Sequence, residues 1–177
     1  MNDLVTEFDV PTVEVAQDTL CILALDLGTQ LGWSTRDANG RVRHGSISFH
    51  PRKTDAAGQR WLRFSAHLSS LKREVGGEFH VAYYENVMAH GTREHPNVVA
   101  AHVYGGFLAC LEVFCDINRI RLEPVSVTSV KKSWTGRGNC NKDAMVDEAR
   151  RRGFKVVDDN AADSLAILHY AIAKEIE

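Results

Sequence analysis

Two kinds of apolar stretch alternate along the chain: short runs with strand periodicity and longer segments with helical periodicity. The run at 20–27 is almost wholly apolar and predicts a buried strand, whereas 42–49 alternates apolar and polar residues as a half-buried strand does. Between them, Asn39-Gly40 is typical of a hairpin turn. The pattern predicts five strands, at 20–27, from 32–35 onward, and at 42–49, 79–84 and 121–127.

Helical periodicity is clearest at 54–75, where Trp61, Phe64 and Leu68 recur three or four residues apart. The glycine pair Gly76-Gly77 ends this helix. Further helices are predicted at 96–114, at 128–134 with Thr128 as N-cap, at 143–152 and at 160–176, and a brief extended segment is predicted at 154–157.

The order of these elements predicts the fold class. Three strands that look antiparallel come first, and helix, strand, helix, strand and helices follow. We therefore predict an α/β protein with a mixed five-stranded sheet and helices on its faces. Because no linker or internal repeat divides the chain, we expect one domain at 20–177, preceded by a mostly extended acidic arm at 1–19.

Composition is that of an ordinary globular domain, with 177 residues, 44% of them hydrophobic and 25% charged. With a formal net charge of −2, any contact with nucleic acid must come from a local basic patch.

We find no run long and apolar enough to cross a membrane, and no secretory signal. Cys21, Cys110 and Cys115 lie in apolar runs without CxxC spacing, which favours core thiols in a reducing compartment. We expect a cytoplasmic location, in a bacterial cell or in the host of a virus.

Acidic residues mark the ends of two strands and the start of the last helix. Asp26 ends the first strand, Glu85 follows the fourth, and Asp159 and Asp163 lie four residues apart on one helix face. If the first and fourth strands are neighbours, these four carboxylates form a cluster that repels itself unless cations occupy it. Mg²⁺ prefers oxygen ligands, and two such ions about 4 Å apart can bind the attacking and leaving oxygens of a phosphodiester displacement. We expect two Mg²⁺ ions per site, with Mn²⁺ able to substitute.

Each of these residues also has a purely structural interpretation. An aspartate after a strand is usually a turn or cap residue, and Asp158 and Asp159 before a helix are more often N-caps than ligands. Glu85 could simply be solvated. The joint order of strand aspartate, strand glutamate and helix aspartate favours the metal site.

Three parts of the sequence together resemble the RuvC-type Holliday junction resolvases, within the RNase H-like nuclease superfamily. The first is ILALDLGTQLGW, similar to the family's first strand with its metal-binding aspartate, and the second is VAYYENV, similar to the strand that ends in the catalytic glutamate. The third is VKKSWTGRGNCNKDAMVDEARRRG followed by DDNAADSLAI, similar to the family's C-terminal block. The resemblance covers most of residues 20–175 and implies an RNase H-like fold.

Carried over residue by residue, the resemblance implies that Asp26, Glu85 and Asp163 bind metal. It implies that Lys142 contacts the phosphate or the transition state, and that Lys131 contacts DNA. It also implies a homodimer, because a four-way junction requires two symmetric cuts.

One position departs from the family pattern. The family has an aspartate three residues before its last one, where this chain has Asn160. Asp159 is the natural substitute, but Asn160 could also ligate through its carbonyl, and the sequence leaves both open. We take the candidate catalytic residues to be Asp26, Glu85, Lys142, Asp159 and Asp163.

Basic residues surround the glycine loop at 136–138. Lys131, Lys132, Arg137 and Lys142 could hold phosphates beside the acidic site, whereas the arginines at 150–152 favour a solvated face. A second basic patch, HGTREH at 90–95, is typical of a loop able to touch DNA.

The predicted helix at 96–114 is apolar nearly all round and contains Gly105-Gly106, each of which costs about 1 kcal/mol relative to alanine. A close approach of a neighbouring element would offset that cost. The helix is either fully buried or meets a second subunit with one face.

The residues favour a metal-dependent nuclease, and the resemblance implies a structure-selective DNA endonuclease that acts on four-way junctions. A nuclease acting on flaps, forks or RNA fits the same carboxylates, because they bind phosphates rather than bases. LDLGT also resembles the first phosphate loop of actin-like kinases, but those are much longer and carry a second such loop. A catalytically inactive binding module is a further alternative, disfavoured by the retained carboxylates and Lys142.

Overall fold

The predicted strands form one mixed sheet. The computed structural model describes residues 19–87 and 97–176, so nearly all of the predicted N-terminal arm and the patch at 90–95 lie outside the described residues. The sheet order is β3-β2-β1-β4-β5; β1–β2 and β2–β3 are antiparallel, and β1–β4 and β4–β5 are parallel. The strands are β1 (Ile22–Asp26), β2 (Gln30–Arg36), β3 (Val42–Ser48), β4 (Val81–Glu85) and β5 (Arg121–Val125).

Five helices complete the described fold, as predicted in number and order. They are α1 (Gln59–Glu74), α2 (Val98–Asn118), α3 (Val127–Thr135), α4 (Lys142–Arg151) and α5 (Asp159–Ile176). The predicted extended segment at 154–157 is irregular and joins no strand of the sheet.

The start of α1 and the cap of α3 differ from prediction for local reasons. α1 begins five residues later than predicted, because Asp55 accepts the backbone N–H of Arg52 and pairs with Arg63, which holds the preceding residues in turns. α3 is capped by Ser126, whose hydroxyl accepts the N–H of Ser129 at 3.1 Å, and not by the predicted Thr128.

The sheet separates two helical layers. α1 and α2 cover one face and pack on Leu23 and Leu25 of β1, whereas α3, α4 and α5 cover the other and pack on Ile22 and Ala24. Successive strand residues point to opposite faces, so Asp26 belongs with Ile22 and Ala24. The carboxylate at the end of β1 therefore faces the layer that contains α5.

Helix α2 is apolar on both its buried and its exposed faces. Gly106 lies against Trp61 of α1, where a Cβ would come within 2.4 Å of the indole ring, so the predicted close approach is confirmed there. A Cβ on exposed Gly105 would have no atom of a neighbouring described element within 4 Å. Only 28% of the most apolar part of α2 is buried, which excludes a fully buried core helix. By length and composition α2 could cross a membrane, so the expectation that no run could do so was wrong, although one such helix is weak evidence for a span.

Candidate active site

One row of residues crosses the sheet where β1 and β4 end. β1 and β4 pair in parallel with a register that ends at Leu25 and Tyr84. The next residue of each strand is Asp26 and Glu85, and the charge of Glu85 acts on Asp26, so the two are neighbours. On the other side, Asp26 pairs with Gly32 of β2, and Gly32 pairs with Ser46 of β3. We call Glu85, Asp26, Gly32 and Ser46 the site row. The predicted adjacency of the first and fourth strands is confirmed.

Helix α5 begins above the site row. Asp158 precedes the helix, and its carboxylate accepts the backbone N–H of Ala161 at 2.9 Å and the hydroxyl of Ser46 at 2.5 Å. Asp158 is therefore an N-cap, as is usual for an aspartate before a helix, and it also attaches α5 to β3. Asp159 and Asp163 follow one turn apart on α5.

Three carboxyl groups of the site have raised pKa values. Burial, and after it the charges of Glu85 and Asp163, raises the pKa of Asp26 well above its usual range. Burial and the charge of Asp163 raise the pKa of Glu85. Burial, and to a smaller extent the charge of Asp159, raises the pKa of Asp163 to about 6. The structure thus brings together the four carboxylates that the sequence singled out.

Lys142 reaches these carboxylates from the start of α4. Its ammonium group donates a hydrogen bond to Oδ2 of Asp159 in an ion pair. That hydrogen bond lowers the pKa of Asp159 and raises the pKa of Lys142. A positive charge therefore stands beside the acidic cluster at neutral pH.

Lys131, predicted to contact DNA beside the acidic site, lies within electrostatic reach of two of the carboxylates. Its positive charge lowers the pKa of both Glu85 and Asp163, against the larger opposing effect of burial. Its ammonium group donates to the backbone carbonyl of Cys140 at 3.3 Å, which ties α3 to the loop before α4.

The two candidates for the fourth ligand differ in their surroundings. The charge of Asp159 contributes to the raised pKa of Asp26 and of Asp163, so its carboxylate lies within the electrostatic reach of both. Asn160 meets the sheet through its backbone, because a Cβ on Gly32 would lie 2.0 Å from the Asn160 carbonyl oxygen. The charge therefore favours Asp159, and the assignment stays a prediction.

The donor chemistry of the site fits a hard divalent cation. Oδ1 of Asp163 is buried and has no hydrogen-bond partner in the part of the chain that the structure describes, and an anionic oxygen in that state is costly unless a proton or a cation meets it. Within residues 19–87 and 97–176, no three His, Cys, Asp or Glu side chains already stand in the geometry of a metal site. Carboxylate oxygens are nevertheless the ligands that Mg²⁺ prefers, so the residues present fit Mg²⁺ chemically.

Solved structures with the same arrangement of elements were found by comparison. Thermus thermophilus RuvC in complex with a Holliday junction substrate matches with a TM-score of 0.70 at 19% identity, covering 89% of this chain and 96% of that one. The chain has the fold of the RuvC resolvases. A second Thermus thermophilus RuvC structure matches with a TM-score of 0.66 at 19% identity, over 89% of this chain and 96% of that one.

A eukaryotic resolvase shares this RuvC fold. The yeast mitochondrial Holliday junction resolvase Ydc2 matches with a TM-score of 0.58 at 14% identity, covering 84% of this chain and 76% of that one. No protein-family model and no curated protein sequence matches the chain. The RNase H-like fold implied by the sequence motifs is thus confirmed through structure.

Two positions in the glycine loop of this RuvC-like chain require glycine for different reasons. Gly136 ends α3 with a φ of 80°, a left-handed conformation that favours glycine. A Cβ on Gly138 would lie 2.7 Å from the methyl group of Thr128, so this residue must also be small. The loop carries exposed Arg137 outward and leads directly to Lys142.

The three arginines at the end of α4 lie on a solvated face, as the sequence favoured. Arg151 and Arg152 both pair with Glu148, and Arg150 pairs with Asp147. Their charges are thus partly neutralised on a solvated face. Exposed Lys132 and Arg137 remain the better candidates for phosphate contact.

Sequence reasoning missed Tyr104 of α2. Its hydroxyl donates to the carbonyl of Glu85 at 2.9 Å and accepts the N–H of Val87 at 3.2 Å, so it holds the chain just after β4. These contacts join residues 17 and 19 positions apart, and no local pattern could have indicated them.

Proposed function

We propose that this chain is a metal-dependent, structure-selective DNA endonuclease that resolves four-way junctions by two symmetric phosphodiester cuts. One observation carries the proposal: Asp26, Glu85, Asp159 and Asp163 converge at the carboxyl ends of neighbouring parallel strands in a RuvC fold. One of the structures with that fold is in complex with a Holliday junction substrate.

The carboxylates of Asp26, Glu85, Asp159 and Asp163 are the groups that would hold Mg²⁺. When bound, two such ions supply positive charge at the attacking and leaving oxygens of a phosphodiester displacement. Burial and then the charges of Glu85 and Asp163 raise the pKa of Asp26, and a bound cation would oppose both effects. Such a cation would also meet Oδ1 of Asp163, which is buried with no hydrogen-bond partner among the described residues.

Lys142 would act next to the scissile phosphate. It is mostly exposed, with 74% of its side chain accessible, and already lies at the carboxylates through Asp159. A cation placed beforehand at this point stabilises charge that grows on the phosphate, and removal of such a contact often costs about 3 kcal/mol in the barrier.

Contacts with the DNA backbone would extend along α3 and the glycine loop. Lys132 and Arg137 are exposed there, and Arg137 also lines a cavity of about 730 Å³ between the loop and α4. Such contacts hold the substrate in place without reading its sequence.

The function is tested with purified protein, Mg²⁺ and labelled four-way, forked, flapped, duplex and RNA substrates. We expect paired, symmetric cuts in the four-way junction, and loss of cutting in Asp26→Asn with junction binding retained. Asp147→Asn, which neutralises an exposed carboxylate outside the site, is the matched control and should cut normally. Normal turnover by Asp26→Asn in Mg²⁺ would refute the assignment, and selective cutting of flaps, forks or RNA would assign that substrate class instead.

We also propose that the chain acts as a homodimer through α2. Every fourth residue along one exposed side of this helix is small or apolar: Ala101, Gly105, Ala109, Val113 and Ile117. Rows of residues four apart are the ridges by which helices pack, and the small ones allow two backbones to approach closely. A second copy related by a two-fold axis would cover this face and place two sites for the two cuts.

The dimer is tested by light scattering at micromolar concentration. We expect twice the chain mass of 19.7 kDa, and a single chain mass for Ala109→Glu, which puts a charge in the middle of the row. Glu112→Ala is the control, because it lies outside the row and removes charge. A single chain mass for the unaltered protein, with and without junction DNA, would contradict the dimer.

A further inference from the structure

Two contacts seat α5 on β2 beside the candidate metal site. At the first, the Asn160 carbonyl lies over Gly32, where a Cβ would come within 2.0 Å of the carbonyl oxygen. At the second, the hydroxyls of Ser34 and Ser164 form a buried hydrogen bond of 2.7 Å, and neither residue has any exposed surface.

The two contacts match in spacing. Gly32 and Ser34 are two residues apart on one face of a strand, which is about 6.7 Å. Asn160 and Ser164 are four residues apart on one side of a helix, which is about 6.0 Å. Two points of attachment at nearly equal spacing set both the height of α5 above β2 and its rotation about its own axis.

That rotation determines where the carboxylates of α5 point. Asp163 directly precedes Ser164 in the sequence, and Gly32 is paired with Asp26 in the sheet. At the β3 end of the site row, Asp158 accepts the hydroxyl of Ser46 and provides a third attachment. A shift of α5 on β2 therefore moves Asp163 relative to Asp26.

We propose that Gly32 and the Ser34–Ser164 hydrogen bond are positioning elements for the metal site: they hold α5 so that Asp159 and Asp163 face Asp26 and Glu85. The inference rests on the proposed function for the identity of the metal, and on the geometry alone for the seat of α5. Any side chain at position 32 would push the Asn160 backbone, and with it the first turn of α5, away from the sheet.

The test measures binding of Mn²⁺ alone, by electron paramagnetic resonance of the free ion, and Mg²⁺ by competition. We expect Gly32→Ala to weaken binding about tenfold, as loss of supporting contacts around metal ligands commonly does. Gly106→Ala is the matched control, since its Cβ would lie 2.4 Å from the Trp61 ring on the opposite face of the sheet. The metal affinity of Gly106→Ala should stay within about twofold of that of the unaltered protein, even if its melting temperature falls as much as that of Gly32→Ala.

The serine pair gives a second test if Gly32→Ala does not fold. Ser34→Ala should weaken Mn²⁺ binding about fivefold, because it removes the hydrogen bond between the two hydroxyls. Ser164→Ala and the double variant should weaken it by at least that factor, because they also remove the hydrogen bond that the Ser164 hydroxyl donates to the carbonyl of Ala161 at 3.0 Å. The positioning role would be overturned if Gly32→Ala, or the serine variants, bound Mn²⁺ as tightly as the unaltered protein does. It would also be overturned if Gly106→Ala lost as much Mn²⁺ affinity as Gly32→Ala. Absence of Mn²⁺ binding by the unaltered protein would overturn it together with the metal site.

Junction cleavage by the same variants separates the two proposals. If affinities change as expected and no variant or unaltered protein cuts the junction, the proposed function is wrong and the positioning role stands. If the unaltered protein cuts, and Gly32→Ala binds metal and cuts as Gly106→Ala does, the function stands and the positioning role is wrong.

Discussion

Replacing Asp163 by asparagine should stabilise the metal-free protein at neutral pH, even though it removes a candidate site residue. The side chain of Asp163 is partly buried, and one of its oxygens has no hydrogen-bond partner among residues 19–87 and 97–176. Burial raises its pKa to about 6 from the usual 3.8. In the folded protein the carboxyl therefore resists ionisation. An amide has nearly the same shape and carries no charge at any pH in this range.

The sign and size of the effect follow from the difference in proton binding between the folded and unfolded chain. Because the folded pKa lies above the unfolded value, the contribution of Asp163 to the free energy of unfolding is full below about pH 4 and is lost as the pH rises through about 6. A shift from 3.8 to about 6 corresponds to about 3 kcal/mol, at about 1.4 kcal/mol per unit of pKa. We therefore expect Asp163→Asn to be more stable than the unaltered protein by up to about 3 kcal/mol at about pH 7.5, and nearly equal to it at about pH 4.

Urea unfolding in EDTA at the two pH values measures this difference, and the same experiment in Mg²⁺ tests its cause. An ion that binds only the folded state stabilises it, by about 2.7 kcal/mol at a hundred times the dissociation constant. The unaltered protein should gain this stabilisation and Asp163→Asn should lose most of it. Asp147→Asn, exposed and outside the site, should match the unaltered protein throughout. An equal stability difference at both pH values in EDTA would refute the reasoning.

Two further predictions concern individual side chains. Lys142→Ala should lower the single-turnover cleavage rate about a hundredfold at saturating enzyme, and a normal rate would show that Lys142 has no catalytic role. Replacing the exposed Lys132 by alanine should mainly weaken junction binding and reduce the salt dependence of that binding. Asp159→Asn should raise the Mg²⁺ concentration needed for activity more than Asn160→Ala does. Asp158→Ala should instead lower the melting temperature, because it removes the cap of α5 and the hydrogen bond from Ser46. A large loss of activity only in Asn160→Ala would reverse the choice of fourth ligand.

The hydrophobic pattern alone was sufficient for the elements and for much of the site. The apolar run before Asp26 could be recognised as a strand, because burial of consecutive residues leaves a local signature, and the acids at Glu85 and Asp163 stood out against such runs. Motif resemblance added Lys142, and the structure places it at the carboxylates as expected. Helix starts were less certain, because a cap depends on one hydrogen bond, and Ser126 rather than Thr128 makes it.

Only the tertiary structure decided which of these pieces meet. The parallel pairing of β1 with β4, which makes Asp26 and Glu85 neighbours, joins residues separated by a hairpin and a helix. The fit of Asn160 over Gly32 and the hydrogen bond between Ser34 and Ser164 join residues about 130 positions apart, where no sequence period can indicate contact. The charged groups of the site could be recognised from the sequence, because the charge of a side chain depends only on the residue type. Their distances, and the pKa values that follow from them, arise from burial and neighbouring charge, which exist only once α5 lies on the sheet.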